Sequence, residues 1–313
     1  MIAEPKPVID CHMHIYPSKA LGREEKLAYD VWEYGPKSVP LSKYDGDLDD
    51  ALQAIRKSGT TKAAAMSHLL VTNFNLRQKP GRTPPSSGLE EDPAIEAKIA
   101  GMLHESNVSI CQLAHKFPVL VPFVIIDPHT LQPDHLEAEL RDLVRVHGAR
   151  GVKLHPVLQE FFPNDPRMWP IYRTCTELHL PILSHSGVAR GPNQYAEPQA
   201  FTEVLKQFPR LTLILAHLGG AAWKQTLAVA REYQNACFDC SEIIEWVGAA
   251  SAPTLQELAQ LIRGVGPRRV MMGTDFPWYD LDKTIDLVKS LPLLSDEEKD
   301  GILGGNVTRI LGI

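Results

Sequence analysis

The chain has 313 residues, 44% hydrophobic and 22% charged, a composition typical of a globular protein with enough apolar material for a sizeable core. Its 32 lysine and arginine residues are outnumbered by 38 aspartate and glutamate residues, and the net charge of −6 lacks the basic excess that binding to a phosphate backbone needs. Since no run of about 18 apolar residues occurs and the N-terminus lacks the apolar core of a signal peptide, we expect a cytoplasmic protein that binds neither nucleic acid nor a membrane.

The first predicted strand carries a His-x-His motif. His12 and His14 follow the apolar start Val8-Ile9. Because residues two apart on a strand point the same way, both imidazoles should aim at one point. Such a pair suits a divalent metal, although buried histidines with hydrogen-bond partners give the same pattern. Ligands from later strands would decide between the two interpretations.

Two long segments interrupt the regular pattern early in the chain. The first, residues 16–47, is polar with several helix breakers, and we expect it to lie over the end of the first strand. The second, residues 71–92, is rich in proline and glycine and is predicted to have no regular structure. Between them, the spacing of apolar residues predicts a helix over 47–57 and a strand over 61–70.

From residue 93 onward, predicted helices and strands alternate. A helix over 93–116 leads to an apolar strand at 119–126, the pattern expected when both faces of a strand are covered. The later predicted helices are 134–147, 167–179, 198–208, 223–234 and 255–263, and the later strands are 150–155, 181–185, 211–217, 236–240 and 269–275. A short capping helix is expected within 295–313.

This alternation predicts the fold class. Strands separated by helices pair in parallel through right-handed crossovers, and the eight strands counted here are the number that closes a barrel. We therefore predict an α/β protein, a (β/α)8 TIM barrel of one domain over residues 1–313, with long loops over its C-terminal face. A doubly wound open sheet is the alternative, but no glycine-rich phosphate turn follows the first strand.

Several predicted strands end in residues that can bind a metal. In a barrel of this kind the chemistry gathers at the C-terminal ends of the strands. These ends carry His12 and His14, Lys153 and His155, His185, His217, and Asp275. Histidines that only fill a core would not all fall at strand ends, so the pattern predicts a metal site.

The five cysteines are scattered and odd in number, which fits free thiols in a reducing compartment. Cys237 and Cys240 have the spacing of a metal-binding or redox pair. On a strand, however, positions three apart face opposite sides, and no second pair completes a zinc site. We interpret both as structural.

From the motif Asp-Cys-His-Met-His at 10–14 to Ile-Leu-Gly-Gly-Asn-Val-Thr-Arg-Ile-Leu at 302–311, the chain resembles the amidohydrolase superfamily, and more narrowly its amidohydrolase-related branch. The resemblance implies that His12, His14, His185 and Asp275 hold a divalent metal, with zinc the expected ion. For His217 it implies either ligation of a second metal or an acid/base role beside a single one. One or two ions are therefore expected.

Lys153 is open to two interpretations. It occupies the place where binuclear relatives carry a carboxylated lysine that bridges two metals, but an ordinary lysine could pair with a substrate carboxylate or a neighbouring acid. His155 shares the face of Lys153 and lies nearer the mouth, which suits substrate contact. Loop cations and aromatic side chains, among them Arg77, Arg190 and Trp278, suit a partly apolar, anionic small molecule, and we assign substrate contacts to Arg190 and Trp278.

Three functions fit these residues. The first is metal-dependent hydrolysis of an amide, ester or lactone by activated water, with Asp275 and His217 as the catalytic residues. The second is non-oxidative decarboxylation or hydration of a carboxylic acid at the same site. The third is a non-catalytic binding protein, which the complete set of ligand positions argues against. The sequence ranks hydrolysis first, because the strand around Lys153 resembles hydrolytic members. The expected partner is a small-molecule substrate, and a homodimer is a compatible assembly.

Overall fold

The computed structural model describes residues 6–34, 41–66, 70–78, 92–188, 195–247 and 252–313. Within them, eight parallel strands follow one another in chain order around a nearly closed barrel, which confirms the predicted fold. The strands are β1 (Ile9–His14), β2 (Lys62–Met66), β3 (Leu120–Ile125), β4 (Gly151–Leu154), β5 (Ile182–Ser184), β6 (Leu213–Leu215), β7 (Ala236–Asp239) and β8 (Val270–Met271).

Helices follow the strands and cover the outside of the barrel. They are α1 (Lys19–Tyr34), α2 (Leu48–Ser58), α3 (Leu70–Arg77), α4 (Pro93–Lys116), α5 (Pro133–Arg145), α6 (Pro156–Gln159), α7 (Trp169–Glu177), α8 (Thr202–Gln207), α9 (Trp223–Glu232), α10 (Leu255–Val265), α11 (Leu281–Ser290), α12 (Asp296–Asp300) and α13 (Asn306–Leu311). None of these described helices is both long enough and apolar enough to cross a membrane.

Helix boundaries follow local capping chemistry where the sequence supplies it. Asp92 accepts hydrogen bonds from the backbone N–H groups of Ala94 and Ile95, and Pro93 occupies the first turn of α4. Asp47 likewise accepts from the N–H of Asp50 at the start of α2. The predicted extent of α4 is therefore confirmed residue for residue, and that of α2 to within one residue.

Two predictions about the early segments need correction. The segment 16–47 contains α1, and the first part of segment 71–92 belongs to α3, whereas residues 79–91 lie outside the described part of the chain. Both helices bury polar side chains, Glu25 and Lys26 on α1 and Asn73 and Arg77 on α3. Their inner faces mix these polar side chains with apolar ones such as Tyr29 and Val71, so a search for apolar periodicity misses them.

The first strand, β1, is irregular between Asp10 and Met13. Cys11 packs inside the barrel with Ile9, whereas Met13 packs in the outer cluster that includes residues of α2. The register between β1 and β2 shifts between Asp10 and Met13, and such a bulge changes where the following side chains point. Cys237 and Cys240 also contact different clusters, as strand alternation predicts, and both are free thiols.

Hydrogen bonds join β1 to the chain that follows β8. The N–H of Cys11 donates to Met272 O at 3.0 Å, and the N–H of Asp275 donates to His12 O at 2.8 Å. These bonds bring Asp275 beside the His-x-His motif, although the two lie at opposite ends of the sequence.

The barrel interior leaves no room for a side chain at Gly151. A Cβ atom there would lie 2.3 Å from the ring of Phe123, which fills the space from the neighbouring strand. Interiors packed this closely tolerate added methyl groups poorly.

We expect Gly151→Ala to destabilise the protein by about 1–3 kcal/mol, because the Phe123 ring must move within a packed core. Gly101→Ala is the matched control, since a Cβ there meets nothing within 4 Å and the residue lies in α4. That change should stabilise by roughly 0.5–1 kcal/mol. Urea unfolding measures both, and an unchanged free energy for Gly151→Ala would contradict the packing described.

Candidate active site

The C-terminal ends of the strands surround a small pocket, the candidate active-site cavity. Its lining consists of His14, Tyr16, Glu25, Tyr29, Val71, Lys153, His155, Leu158, His185, His217, Asp275 and Trp278. His12 is buried and contacts Lys153 and Asp275 of this lining. Of the site residues expected from the sequence, Arg190 lies outside the described residues, and the others meet here.

His12, His14 and Asp275 form a group that could hold a metal ion. The Nε2 atoms of the two histidines lie 3.2 and 3.3 Å from the same atom, Asp275 Oδ1. One ligand atom from each of the three residues lies within 4.8 Å of the others, and all three residues are buried. Two imidazoles and a carboxylate that converge in this way fit a divalent transition metal such as zinc.

The hydrogen bonds of His12 prepare it for this role. Its Nδ1 lies 3.1 Å from Asp239 Oδ2 and 3.2 Å from Ser241 Oγ. The Ser241 hydroxyl donates its proton to Asp239 Oδ1 at 2.5 Å, so both neighbours accept from His12. The proton of the neutral imidazole is therefore on Nδ1, and Nε2 offers its lone pair to the site, as in many metal centres.

Asp239 was missed by the sequence interpretation. It ends β7 after an apolar run, as the predicted ligands end their strands, but it lies between Cys237 and Cys240 and was considered only as part of that pair. Burial alone would raise the pKa of Asp239, but the hydrogen bond from His12 and the nearby imidazoles hold this pKa well below its usual range. Asp239 is therefore a carboxylate that orients His12.

Asp10 has a related structural role. Its carboxylate accepts from the N–H of His12 at 2.9 Å and from the N–H of Thr274 at 3.0 Å, and so joins β1 to the segment after β8. Burial raises the pKa of Asp10 to about 7. Asp10, the acidic residue of the Asp-x-His-x-His motif, thus helps to position His12 and the segment that carries Asp275.

Lys153 is buried directly against the candidate metal group. Its Nζ lies 2.6 Å from His12 Nε2, and burial lowers the pKa of the ammonium to about 8. This contact places Lys153 at the candidate metal group, whereas its pairing with a substrate carboxylate stays a prediction. Carboxylation of Lys153 remains a prediction.

His155 and His185 form a stacked pair at the mouth. Their ring centroids are 4.0 Å apart and the rings are 6° from parallel. The N–H of Leu158 donates to His155 Nδ1 at 3.3 Å where α6 begins, so the proton of the neutral ring is on Nε2, which lies 3.5 Å from the hydroxyl of Tyr29. His155 therefore directs a donor toward the cavity.

The position of His185 differs from the expected ligand set. Among the described residues, three groups bring ligand atoms within 4.8 Å of one another, and His185 is in none of them. Its ring stacks on His155 and lies 5.0 Å, centroid to centroid, from the ring of His217. The stack holds His185 at the mouth, so its expected role as a metal ligand stays a prediction.

His217 and Asp275 have strained backbones. Their φ angles are 59° and 58°, in the left-handed region that residues other than glycine rarely adopt. Strain of this kind typically costs about 1–3 kcal/mol per residue and is concentrated at functional sites. Burial lowers the pKa of His217 to about 4, so the imidazole is neutral at neutral pH.

The loop residues divide into two classes. Trp278 contacts the His14 ring edge-on at 5.6 Å and lines the cavity, and its contact with a substrate stays a prediction. Arg77 does not line the cavity. Its guanidinium is buried and pairs with Glu96 at 2.7 Å and with Asp127 at 2.9 Å. It joins α3 to α4 and to the end of β3.

Known proteins share this architecture. The sequence profile of the amidohydrolase family matches residues 9–313. A 2-amino-3-carboxymuconate-6-semialdehyde decarboxylase from Dictyostelium discoideum is 25% identical over 206 residues, which make up 56% of this chain and 56% of that protein. The chain thus matches about half the length of this curated relative.

Two crystal structures have the same fold at low sequence identity. A dihydroxybenzoic acid decarboxylase from Polaromonas, with bound manganese and the inhibitor 2-nitroresorcinol, superposes with a TM-score of 0.68 at 13% identity, covering 98% of this chain and 97% of that one. A 4-oxalomesaconate hydratase from Rhodopseudomonas palustris superposes with a TM-score of 0.60 at 17% identity, covering 97% and 95%.

The lowered histidine pKa values predict that the metal-free protein loses stability as the pH falls from 6.5 toward about 4. Burial lowers the pKa of His12, His155, His185 and His217, so unfolding releases them to take up protons in this range. Each such proton contributes a slope of about 1.4 kcal/mol per pH unit. Asp10 has the opposite effect on stability. Its pKa is raised in the folded protein, so unfolding releases one proton from it over the same pH range.

Urea unfolding of metal-free protein at several pH values measures this slope. His217→Gln should reduce it by about 1.4 kcal/mol per pH unit, the contribution of one proton. An equal slope in the variant and the wild type would show that His217 takes up no extra proton on unfolding.

Proposed function

Because the chain belongs to the amidohydrolase family, we propose that it is a metal-dependent enzyme that removes a carboxylate group as CO₂, without oxidation, from a small unsaturated carboxylic acid. The observation that carries the proposal is the shared cavity, in which His217 lies beside the candidate metal group of His12, His14 and Asp275, next to aromatic side chains. The reactions named for the decarboxylases of Dictyostelium and Polaromonas favour this function over hydrolysis, which the sequence alone ranked first.

We infer that His12, His14 and Asp275 hold the ion, with His185 as a further donor from the mouth. A bound divalent ion would supply Lewis acidity that polarises a substrate oxygen. The composition of the donor set suits zinc, and manganese is bound by the Polaromonas relative. A carboxylated Lys153 would be able to bridge this ion to a second one.

The remaining cavity residues bind and enclose the substrate. The N–H of His155 and the ammonium of Lys153 are donors for a carboxylate, while Tyr16, Tyr29 and Trp278 form an apolar wall. Because a carboxylate is costly to bury and CO₂ carries no charge, this enclosure favours loss of the carboxylate.

We assign the transfer of a proton to the substrate carbon to His217. When the bond between the carboxylate carbon and its neighbour breaks, the electron pair stays on the neighbouring carbon, which must take up a proton. His217 is neutral at rest and lies at the cavity, so it can carry a proton from water to that carbon. Asp275, buried and ionised through its contacts with the imidazoles, stabilises the positive charge that His217 gains.

We expect the double change His12→Ala with His14→Ala to remove the metal while the barrel stays folded, because the apolar core lies below the site. The matched control is His104→Ala with His147→Ala, a pair of histidines away from the cavity whose rings are 6.4 Å apart. Elemental analysis gives the metal-to-chain ratio, and circular dichroism reports the fold. Stoichiometric metal in the first variant would contradict the ligand assignment.

The position of a solvent isotope tests the reaction class. In D₂O, the product of a hydroxybenzoic or unsaturated aliphatic acid should carry deuterium at the former carboxylate-bearing carbon, with release of CO₂. Hydrolysis would instead place labelled oxygen from H₂¹⁸O on the cleaved carbonyl carbon. His217→Asn should lower kcat by at least about a hundredfold, the typical contribution of a positioned acid or base. Oxygen label in the product without CO₂ would exclude decarboxylation.

A further inference from the structure

The Nδ1 atom of His217 is surrounded by oxygen atoms that can only accept from it. Glu242 Oε2 lies 3.3 Å away, Ser241 Oγ 2.9 Å and Ser241 O 3.3 Å. The hydroxyl proton of Ser241 is donated to Asp239. Nδ1 therefore carries the proton of the neutral ring, and Nε2 is left with a lone pair. This is the tautomer that proton transfer through Nε2 requires.

Glu242 was not singled out by the sequence, and its geometry is unusual. The carboxylate is buried, and its backbone φ of 61° lies in the left-handed region, like that of His217 at 59°. Two strained non-glycine residues in direct contact indicate an arrangement kept for function. A glutamate needed only for packing would require neither the strain nor the contact with an imidazole.

We propose that Glu242 is a positioning residue whose carboxylate fixes the tautomer and orientation of His217. The inference rests on the proposed function, in which His217 carries the proton. A hydrogen bond to a charged acceptor is stronger than one to a neutral oxygen. Ser241 Oγ is a neutral acceptor that also faces His12 Nδ1 at 3.2 Å, whereas Glu242 offers a carboxylate to His217.

A competing role for the same residue is ligation of a metal. His217, Glu242 and Asp275 also bring ligand atoms within 4.8 Å of one another. The contact between His217 and Glu242 favours positioning, because Nδ1 already carries a proton there. The metal count separates the two roles: a ligand would be lost with its ion, whereas a positioning residue would not.

The first test reads the tautomer without any substrate. Nitrogen NMR of histidine-labelled, zinc-loaded enzyme should show His217 with a protonated Nδ1 and a bare Nε2, assigned by comparison with His217→Asn. In Glu242→Gln the side-chain amide can turn its NH₂ group toward Nδ1, so we expect a second tautomer. Glu242→Asp keeps an acceptor that cannot donate, and we expect a single tautomer.

The second test uses steady-state kinetics. Glu242→Gln should lower kcat roughly 10–100-fold with KM changed less than about twofold, the usual effect of losing a residue that orients an active-site histidine. Glu242→Asp should recover part of kcat. Glu245→Gln is the matched control, because Glu245 is a buried neighbour that pairs with Lys283 and Thr284, and we expect its kcat to be unchanged.

The outcomes separate the inference from the proposed function. An unchanged tautomer or an unchanged kcat in Glu242→Gln overturns the inference, as does loss of one metal equivalent in that variant. If no acid is decarboxylated, the proposed function fails, and the tautomer measurement still decides the role of Glu242.

Discussion

The ionised side chain of Asp239 is the constraint on which the site depends. One oxygen accepts from the ring of His12, and the other accepts from the N–H of His217 and from both the N–H and the hydroxyl of Ser241. A buried carboxylate is stable only when its lone pairs are satisfied, and here each bond also positions another part of the site. These hydrogen bonds hold the C-terminal ends of β1, β6 and β7 around the single carboxylate of Asp239.

The close approach of the strands makes this arrangement possible. A Cβ atom at Gly273 would lie 2.8 Å from Cβ of His12, so only glycine allows the chain after β8 to pass this close to β1. Around the irregularity in β1, Cys11 packs in the core while the two histidines face Asp275 in the candidate metal group. Local backbone features and the buried charge act together to set the ligand geometry.

The sequence predicts those parts of the fold that follow from apolar periodicity and from the ends of strands. The barrel, α4 and the meeting of His12, His14 and Asp275 belong to this class. It does not predict α1 and α3, whose inner faces bury polar residues such as Glu25 and Arg77. Nor does it predict the stack of His155 on His185, or the contact of Glu242 with His217, because these depend on distances between loops rather than on spacing along the chain.

The buried polar residues of α1 bear on access to the cavity. Tyr29 on this helix contacts His155, so α1 covers the site from the outside. Glu25 accepts a hydrogen bond from Thr72, and Lys26 donates to the carbonyl oxygens of Ser42 and Tyr44, so exposure of these groups exchanges protein hydrogen bonds for bonds to water, whereas exposure of buried leucines loses a favourable transfer energy. Buried polar contacts of this kind therefore hold α1 over the cavity less strongly than the same number of buried leucines would.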